Sequence, residues 1–305
     1  MRTAAELQDL AQAKAKKHSV MVQGVTTDYW FYPAKNNSKN AETIVLVHGY
    51  RGDHHGLESF AGALDQFNVI APDLPGFGSS VPLGVEHTLD NYISWMADFV
   101  SVLELNKPIA IGHSFGTLII TGAQDKEEIF KAMICINPVA GGITKGLSRI
   151  LLNFVKFYYF LAHKLPERLG MKMVTSFLLV DSMSAYTTKS RDKKLRHWVK
   201  YQHRQHFNSF ANSQVVWEAY IASISRRIQP YMKNVTVPVL FVAAELDEVT
   251  PVSEVVKLQE EISRRPGSKF ATELHVVKNC GHLVHYEAAE ETANQIKNFI
   301  SKEVK

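Results

Sequence analysis

A serine stands between two glycines in the pentapeptide Gly-His-Ser-Phe-Gly at residues 112–116, where a hydroxyl could act as a nucleophile. Apolar residues precede this pentapeptide and helix-compatible residues follow it, which predicts a tight turn from a strand into a helix. Side chains at positions 112 and 116 would clash in such a turn, so both must be glycine. The turn would expose the Ser114 hydroxyl at the sheet edge, beside a helix N-terminus that favours developing negative charge.

A serine hydroxyl needs a base to take its proton, and the usual base is a histidine that an acid holds in the correct tautomer. The residues Asn-Cys-Gly-His at 279–282 directly follow the strand-like run 273–277, so His282 is the predicted base. Catalytic groups gather in loops of this kind in open α/β sheets. His285 lies three residues further on and is an open alternative.

The acid is predicted in the loop after the apolar run 237–242. Asp247 lies in this loop, ahead of a helix that is expected to begin near Pro251. Aspartate is also favoured in such loops as a turn or capping residue. Glu245 and Glu248 therefore remain alternative acids.

Attack on an acyl carbonyl creates an oxyanion, which preorganised NH donors stabilise. The backbone NH of Phe115, immediately after the serine, is one predicted donor. The other is the NH of Tyr50, in the stretch His-Gly-Tyr-Arg-Gly that follows the apolar run 43–47. This chemistry requires neither a metal nor an organic cofactor, and none is expected.

Short aliphatic or β-branched runs alternate with helical patterns, which predicts a parallel sheet covered by helices. The predicted strands are residues 43–47, 68–71, 108–111, 132–136, 237–242 and 273–277, and an earlier pair of strands around 19–32 could form an antiparallel edge. The predicted helices are residues 57–66, 88–105, 115–123, 251–264 and 288–302. Helical patterns without a convincing strand fill the stretch from 141 to 233. We therefore expect an α/β core domain of residues 1–140 and 234–305, with residues 141–233 inserted as a helical cap.

Composition excludes several classes of protein. The 305 residues are 46% hydrophobic and 21% charged, which is typical of a soluble globular chain. Two cysteines, Cys135 and Cys280, are too few for a disulfide framework. The first twenty residues carry charges where a secretory signal would need an apolar stretch, and the most apolar run, 147–161, is interrupted by polar residues. A cytoplasmic location is expected.

These motifs together resemble the α/β-hydrolase superfamily, in the branch with a serine nucleophile and a helical cap. The resemblance covers most of the chain outside the cap. It rests on His48-Gly49, Asp-Leu-Pro-Gly-Phe-Gly-Ser-Ser at 73–80, the Gly-His-Ser-Phe-Gly turn, Asp247 ahead of Pro251, and Gly281-His282 ahead of Glu287. The resemblance implies an eight-stranded, mostly parallel sheet and a cap that roofs the substrate pocket.

Ala244 departs from the glycine that many relatives have before the acid. Serine at the nucleophile position argues against the dehalogenases and epoxide hydrolases of this fold, which have aspartate there.

The predicted cap is strongly basic and partly amphipathic. Residues 144–233 contain 16 basic and 4 acidic side chains. Residues 147–164 combine a wide apolar face with Arg149, Asn153, Lys156 and His163, which indicates either ordinary packing, an acyl-chain pocket or contact with a membrane surface. Basic residues within 189–204 suit a solvated helix face, anionic lipid or acyl-CoA. Nucleic acid is not expected as a partner, because no recognisable binding module accompanies this charge.

The predicted function is hydrolysis of a carboxylic ester or related acyl compound with a hydrophobic acyl part, through an acyl-enzyme on Ser114. Alternatives within enzymes are carbon–carbon bond hydrolysis of the meta-cleavage type, acyl transfer and thioester hydrolysis. A ligand-binding receptor on the same fold is the alternative outside enzymes. The fold by itself does not choose among these functions.

Overall fold

A computed structural model describes residues 1–35, 41–141, 147–264 and 270–304. Residues 142–146 of the predicted cap and the side chain of Arg149 lie outside the described residues. The strands are β1 (Lys16–Val22), β2 (Val25–Tyr32), β3 (Thr43–Val47), β4 (Asn68–Pro72), β5 (Ile109–His113), β6 (Ala132–Ile136), β7 (Val239–Ala244) and β8 (Thr272–Val277). The helices are α1 (Ala4–Gln12), α2 (Glu58–Ala63), α3 (Leu89–Val102), α4 (Phe115–Glu127), α5 (Leu147–Lys164), α6 (Glu167–Val174), α7 (Phe177–Thr187), α8 (Lys193–His206), α9 (Ser213–Ser225), α10 (Val252–Ser263), α11 (Val284–Glu287) and α12 (Ala289–Glu303).

All eight described strands form one sheet in the order β1-β2-β4-β3-β5-β6-β7-β8. Strands β3 to β8 run parallel, whereas β2 pairs antiparallel with both β1 and β4. The central strands β5, β6 and β7 are buried along their whole length, as parallel strands covered on both faces must be. The predicted eight-stranded, mostly parallel sheet is confirmed.

Helices cover both faces of this sheet because successive residues of a strand point to opposite faces. In β3, Val45 and Val47 belong to a core that includes side chains of α3, α4 and α10. Ile44 and Leu46 belong to a second core with side chains of α1, α2 and α12. Because β3 to β8 run parallel, they all end at one edge of the sheet, where the loops that follow them gather.

Helix α1 is an element that the sequence patterns did not predict. A capping box starts it, in which Thr3 accepts from the Glu6 NH and Glu6 accepts from the Thr3 NH. The helix then packs closely on α2, because a Cβ on Gly62 would lie 1.9 Å from the carbonyl oxygen of Leu7. The capping signature was present in the sequence, but the close approach at Gly62 is a tertiary feature.

Five helices, α5 to α9, lie between β6 and β7 in the segment predicted to be the cap. Within residues 147–233 the structure contains no strand of the sheet, and a single isolated bridge joins Phe210 to Phe77. Helices α5 and α9 pack on each other through the aromatic rings of Tyr159 and Tyr220. Within the described residues, no helix combines the length and the apolar character needed to cross a bilayer.

Candidate active site

The turn that carries Ser114 has the strained geometry predicted from its two glycines. Ser114 alone joins β5 to α4, with φ 51° and ψ −114°, a backbone conformation that residues with a side chain rarely adopt. A Cβ on Gly112 would lie 2.7 Å from the Gly116 carbonyl group, and a Cβ on Gly116 would lie 2.4 Å from the Val47 oxygen. Both contacts are too short, so the turn requires glycine at both positions.

The structure brings Ser114, His282 and Asp247 together, although 168 residues separate the first two in sequence. His282 Nε2 lies 3.0 Å from the Ser114 Oγ, and His282 Nδ1 lies 2.7 Å from Asp247 Oδ2. An ionised carboxylate only accepts hydrogen bonds, so Nδ1 carries the proton and Nε2 is free to accept from the serine hydroxyl. The three side chains come from the loops that follow β5, β7 and β8.

The Asp247 carboxylate is held in the ionised form. The carboxylate accepts the Thr250 hydroxyl at 2.7 Å as well as His282, and its other oxygen accepts the backbone NH groups of Val249 and Thr250. Burial opposes ionisation, but the neighbouring His282 and the hydrogen bonds from Thr250 outweigh it, so the pKa of Asp247 lies below its ordinary value. A charged acceptor at this position orients the His282 ring.

The alternative acids and the alternative base occupy different surroundings. Glu245 accepts from Lys278 and from the Asn279 NH, and Glu248 pairs with Lys189 at 3.1 Å. Both carboxylates are much more exposed than that of Asp247. His285 is buried, and burial followed by nearby histidines holds its pKa well below the ordinary value. Among the described contacts, the imidazole that reaches the Ser114 hydroxyl is that of His282.

The two predicted oxyanion donors flank the serine. Phe115 is the first residue of α4, and the first NH groups of a helix have no acceptor within the helix. The loop that carries Tyr50 passes directly over the serine, because a Cβ on Gly49 would lie 3.3 Å from the Ser114 Cβ. Within the described part of the chain, neither the Tyr50 NH nor the Phe115 NH donates to another residue. Both remain available to a ligand oxygen.

Asn137 and His113 position the loop of His282, and neither was predicted from the sequence. The His282 carbonyl oxygen accepts from Asn137 Nδ2 at 2.8 Å and from His113 Nε2 at 2.9 Å. Asn137 Oδ1 also accepts the NH of Ala244, the residue that ends β7 ahead of the Asp247 loop, at 2.9 Å. One buried amide thus connects the acid loop to the histidine loop. Its sequence signal was the Asn-Pro that ends the apolar run 132–136.

Arg51 attaches the loop of Tyr50 to the helices between β6 and β7. Its side chain is fully buried and donates to the Tyr159 hydroxyl, the Val174 oxygen and Asn208 Oδ1, at 2.9, 2.8 and 2.7 Å. The guanidinium also lies 4.8 Å from the Phe207 ring centroid. Arginine tolerates such burial because its planar donors are matched by fixed acceptors. The loop of Tyr50 and the inserted helices are therefore held together at this residue.

A second connection to the inserted segment lies at His282. The His282 NH donates to the Thr187 oxygen at 3.0 Å. The Glu287 carboxylate accepts the backbone NH groups of Gly281, Lys189 and Ser190. The end of α7 is consequently bonded to the His282 backbone, and residues 189–190 are bonded to Glu287. A displacement of this segment would also displace the His282 ring.

One group of side chains among the described residues has the spacing of metal ligands. Asp53, His54 and His55 each offer an atom within 4.8 Å of the others. Two of the three side chains already have protein partners, because His54 Nδ1 bonds to Asp73 at 2.9 Å and Asp53 accepts the backbone NH of His55 at 3.0 Å. The arrangement caps a 3₁₀ turn at His54–Leu57. The geometry of this turn therefore explains why the three side chains lie close together.

Buried histidines lead to a prediction about stability in acid. Burial lowers the pKa of His87 and His203 to about 4, and burial with the nearby His282 lowers that of His113 to about 3. The unfolded chain binds protons on these rings below about pH 6.5, whereas the folded chain does not. The contribution of these neutral histidines to the free energy of unfolding is therefore fully present above that pH and is lost as the pH falls. At about pH 5.5 the loss should be about 1.4 kcal/mol for each histidine, measured by urea unfolding.

Two variants make this measurement specific. His203→Phe keeps an aromatic ring against Phe207 and removes one buried titrating group, so its loss of stability at about pH 5.5 should be smaller by about 1.4 kcal/mol. His197→Ala changes an exposed histidine and should keep the wild-type pH dependence. Equal pH dependence in all three proteins would show that His203 is not neutral in the folded chain.

Comparison with known proteins places the chain among hydrolases. A lipase of Moraxella sp., "Lipase 3", is 22% identical over 96% of this chain and 88% of its own length. A 2-hydroxy-6-oxo-6-(2'-aminophenyl)hexa-2,4-dienoic acid hydrolase of Metapseudomonas resinovorans is 20% identical over 99% and 97%. A solved putative lipase of Acinetobacter baumannii superposes with a TM-score of 0.74 at 18% identity, over 99% of this chain and 96% of that one.

Some relatives match over a shorter stretch. An (E)-2-((N-methylformamido)methylene)succinate hydrolase of Acinetobacter baylyi is 30% identical over 103 residues, which is 32% of this chain and 38% of that protein. The family model described as the alpha/beta hydrolase family matches residues 44–295, a range that contains Ser114, Asp247 and His282. This match spans far more than half of the sequence. The chain belongs to the alpha/beta hydrolase family.

Proposed function

We propose that this hydrolase cleaves a carboxylic ester or related acyl compound with a hydrophobic acyl part, through an acyl-enzyme on Ser114. The observation that carries the proposal is the unbroken series of contacts from the Ser114 hydroxyl through His282 to the buried Asp247 carboxylate. A serine, a histidine and an ionised acid in this order form the arrangement that activates a hydroxyl nucleophile.

Acylation follows from the positions of these groups. Ser114 Oγ attacks the substrate carbonyl carbon while His282 Nε2 takes the hydroxyl proton, and Asp247 stabilises the resulting imidazolium. The oxygen of the tetrahedral intermediate accepts the NH groups of Tyr50 and Phe115. When the intermediate collapses, the bond to the leaving alcohol breaks and His282 returns the proton to it. The acyl group is then bonded to Ser114.

Deacylation repeats these steps with water. His282 takes a proton from a water molecule, whose oxygen attacks the acyl carbonyl carbon, and the same two NH groups hold the oxyanion. Collapse then breaks the ester bond to Ser114 Oγ, which regains its proton from His282. The products are a carboxylic acid and the free enzyme, and the protein supplies all the proton transfers.

Aromatic side chains beside the oxyanion loop support a hydrophobic acyl part. The Tyr50 ring contacts Phe77, Tyr159 and Tyr220, with ring centroids 5.7–6.3 Å apart. Tyr159 and Tyr220 belong to α5 and α9, so apolar surface of the inserted helices is held over this loop. We propose on this basis that residues 141–233 act as a cap over the substrate, and that an acyl chain binds against its inner face.

Carbon–carbon bond hydrolysis is the second candidate. It is favoured by the likeness to the Metapseudomonas dienoic acid hydrolase, which extends over nearly the whole of both chains. The same serine, histidine and aspartate would serve that reaction, but its substrate would bring a dienoate carboxylate under the cap. We rank this function second because the aromatic contacts around Tyr50 provide apolar surface rather than charge.

We also propose a reducing, cytoplasmic location. Cys135 and Cys280 are both buried free thiols, and burial raises the pKa of each well above its ordinary value. Such thiols behave as small apolar side chains rather than as reactive groups. They are consistent with a chain that does not depend on oxidation for its stability.

The proposed function is tested by kinetics on p-nitrophenyl esters of increasing acyl length, alongside a dienoic diketone-type compound. We expect kcat/KM for the esters to rise with acyl length and to exceed that for the dienoic compound. A fluorophosphonate probe should label the protein, with the modified peptide containing Ser114. Turnover of the dienoic compound alone would favour the second candidate. Absence of both labelling and turnover would favour a ligand-binding role.

A further inference from the structure

Large apolar side chains are concentrated on the outside of the first inserted helices. Sixteen large hydrophobic residues are exposed in the described chain, and seven of them fall between residues 154 and 178. Phe154, Phe157 and Leu161 on α5 are 63%, 60% and 40% exposed. We call these three residues the outer face of α5. Leu169, Phe177 and Leu178 on the next two helices are exposed by 50–65%.

Helix α5 is apolar on two opposite sides. Residues at i, i+3 and i+7 lie on one side of a helix, which places Phe154, Phe157 and Leu161 together. Tyr159 and Ala162 point the other way and are buried, with the Tyr159 hydroxyl bonded to Arg51. Packing on the protein thus uses the inner side only. A contiguous apolar side that the fold leaves in water is typical of a surface that binds a partner.

The charge around this face indicates which partner. Residues 147–178 contain five basic side chains and the single acidic Glu167. The Lys164 ammonium lies 5.7 Å from the centroid of the exposed Phe160 ring, so a cation stands beside the apolar surface. Pairing with a second copy would bring two positive surfaces together. The surface of an anionic lipid bilayer has negative headgroups above a hydrocarbon layer, so it complements both the positive charge and the apolar side chains.

We propose that the outer face of α5 docks on the surface of an anionic lipid bilayer, with Phe154, Phe157 and Leu161 at the boundary between headgroups and acyl chains. The helix lies in the plane of the surface, and Lys164, beside the exposed Phe160 ring, contacts the headgroups. This docking does not depend on the reaction at Ser114. It would place the inner side of the same helix, which contacts the oxyanion loop through Tyr159 and Arg51, next to a source of acyl chains.

The test is co-sedimentation of the full-length protein with vesicles of phosphatidylcholine, with and without phosphatidylglycerol. We expect binding to the vesicles that contain phosphatidylglycerol, and weaker binding at higher salt. The triple variant Phe154→Ser, Phe157→Ser, Leu161→Ser should bind at least about tenfold more weakly. Lys164→Glu should also weaken binding, but only to the anionic vesicles.

A matched variant controls for loss of exposed apolar area. Leu10, Met21 and Val85 are 47%, 56% and 58% exposed on the core domain, so changing all three to serine should leave vesicle binding unchanged. Both triple variants should keep the wild-type Tm and wild-type hydrolysis of a short water-soluble ester. Equal vesicle binding by the wild type and the α5 variant would overturn the proposal. The proposal would also be overturned if the wild type formed a dimer that bound no vesicles and the α5 variant were a monomer.

Discussion

Replacement of Ser114 by alanine is expected to lower kcat for ester hydrolysis by about 10⁵-fold or more. The variant lacks the oxygen that forms the acyl-enzyme, so only the oxyanion donors and substrate binding would remain, which typically give about 10³ to 10⁴ over the reaction in water. The measurement is steady-state hydrolysis of the best p-nitrophenyl ester, with fluorophosphonate labelling as a second readout. A variant that retained more than about 1% of wild-type kcat would remove Ser114 from the mechanism.

The stability of this variant separates a chemical role from a structural one. Ser114 Oγ bonds to His282, and losing one such bond should lower the free energy of unfolding by about 1 kcal/mol. Alanine keeps the same Cβ at φ 51°, so the strain of the turn is unchanged. Ser114→Gly should be more stable than Ser114→Ala by about 1 kcal/mol, because glycine adopts positive φ without strain. Urea unfolding of the two inactive variants measures this difference.

Replacement of Asp247 by asparagine should lower kcat by about 10⁴-fold with little change in KM. The carboxylate accepts the His282 Nδ1 proton at 2.7 Å and so leaves Nε2 free to accept from Ser114. An amide can instead donate to Nδ1, which places the proton on Nε2, where it blocks proton transfer from the serine. The backbone NH groups of Val249 and Thr250 still find an acceptor in the amide oxygen, so the loop should remain folded.

The two other acids of this loop provide matched controls. Glu245→Gln and Glu248→Gln remove charge within two residues of Asp247, but their partners are Lys278 and Lys189 on the surface. Surface ion pairs contribute little to stability, so both variants should keep kcat within about twofold of the wild type. If Glu248→Gln lost as much activity as Asp247→Asn, the assignment of the acid would have to change.

The serine turn could be predicted from the sequence because its requirements are local. Positions 112 and 116 need glycine since backbone atoms of the same turn and of the neighbouring strand β3 occupy the space of a Cβ. The alternation of apolar runs with helical patterns likewise predicted six parallel strands to within two residues of their observed bounds, since burial on both faces demands continuous apolar runs. Helix α1 was not predicted, because its burial depends on contact with α2.

Other parts of the site depend on contacts between distant residues. Asn137 joins the acid loop to the histidine loop over 107 and 145 residues of sequence, and no local pattern reports such distances. Arg51 was visible only as one residue of a glycine-containing loop. Its burial, with acceptors from Tyr159, Val174 and Asn208, became evident once the inserted helices were placed.

The sequence by itself determined the order of the parallel strands and of the core helices between them, the glycine turn around Ser114 and a short set of candidates for the base and the acid. These features follow from periodicity, turn chemistry and the reactivity of side chains, all of which act over a few residues. Tertiary structure alone decided that His282 rather than His285 reaches the serine, and that Asp247 rather than a nearby glutamate holds His282. It also decided which apolar side of α5 faces the protein. Hydrophobic periodicity shows that a helix has apolar sides, but only packing determines which side is covered.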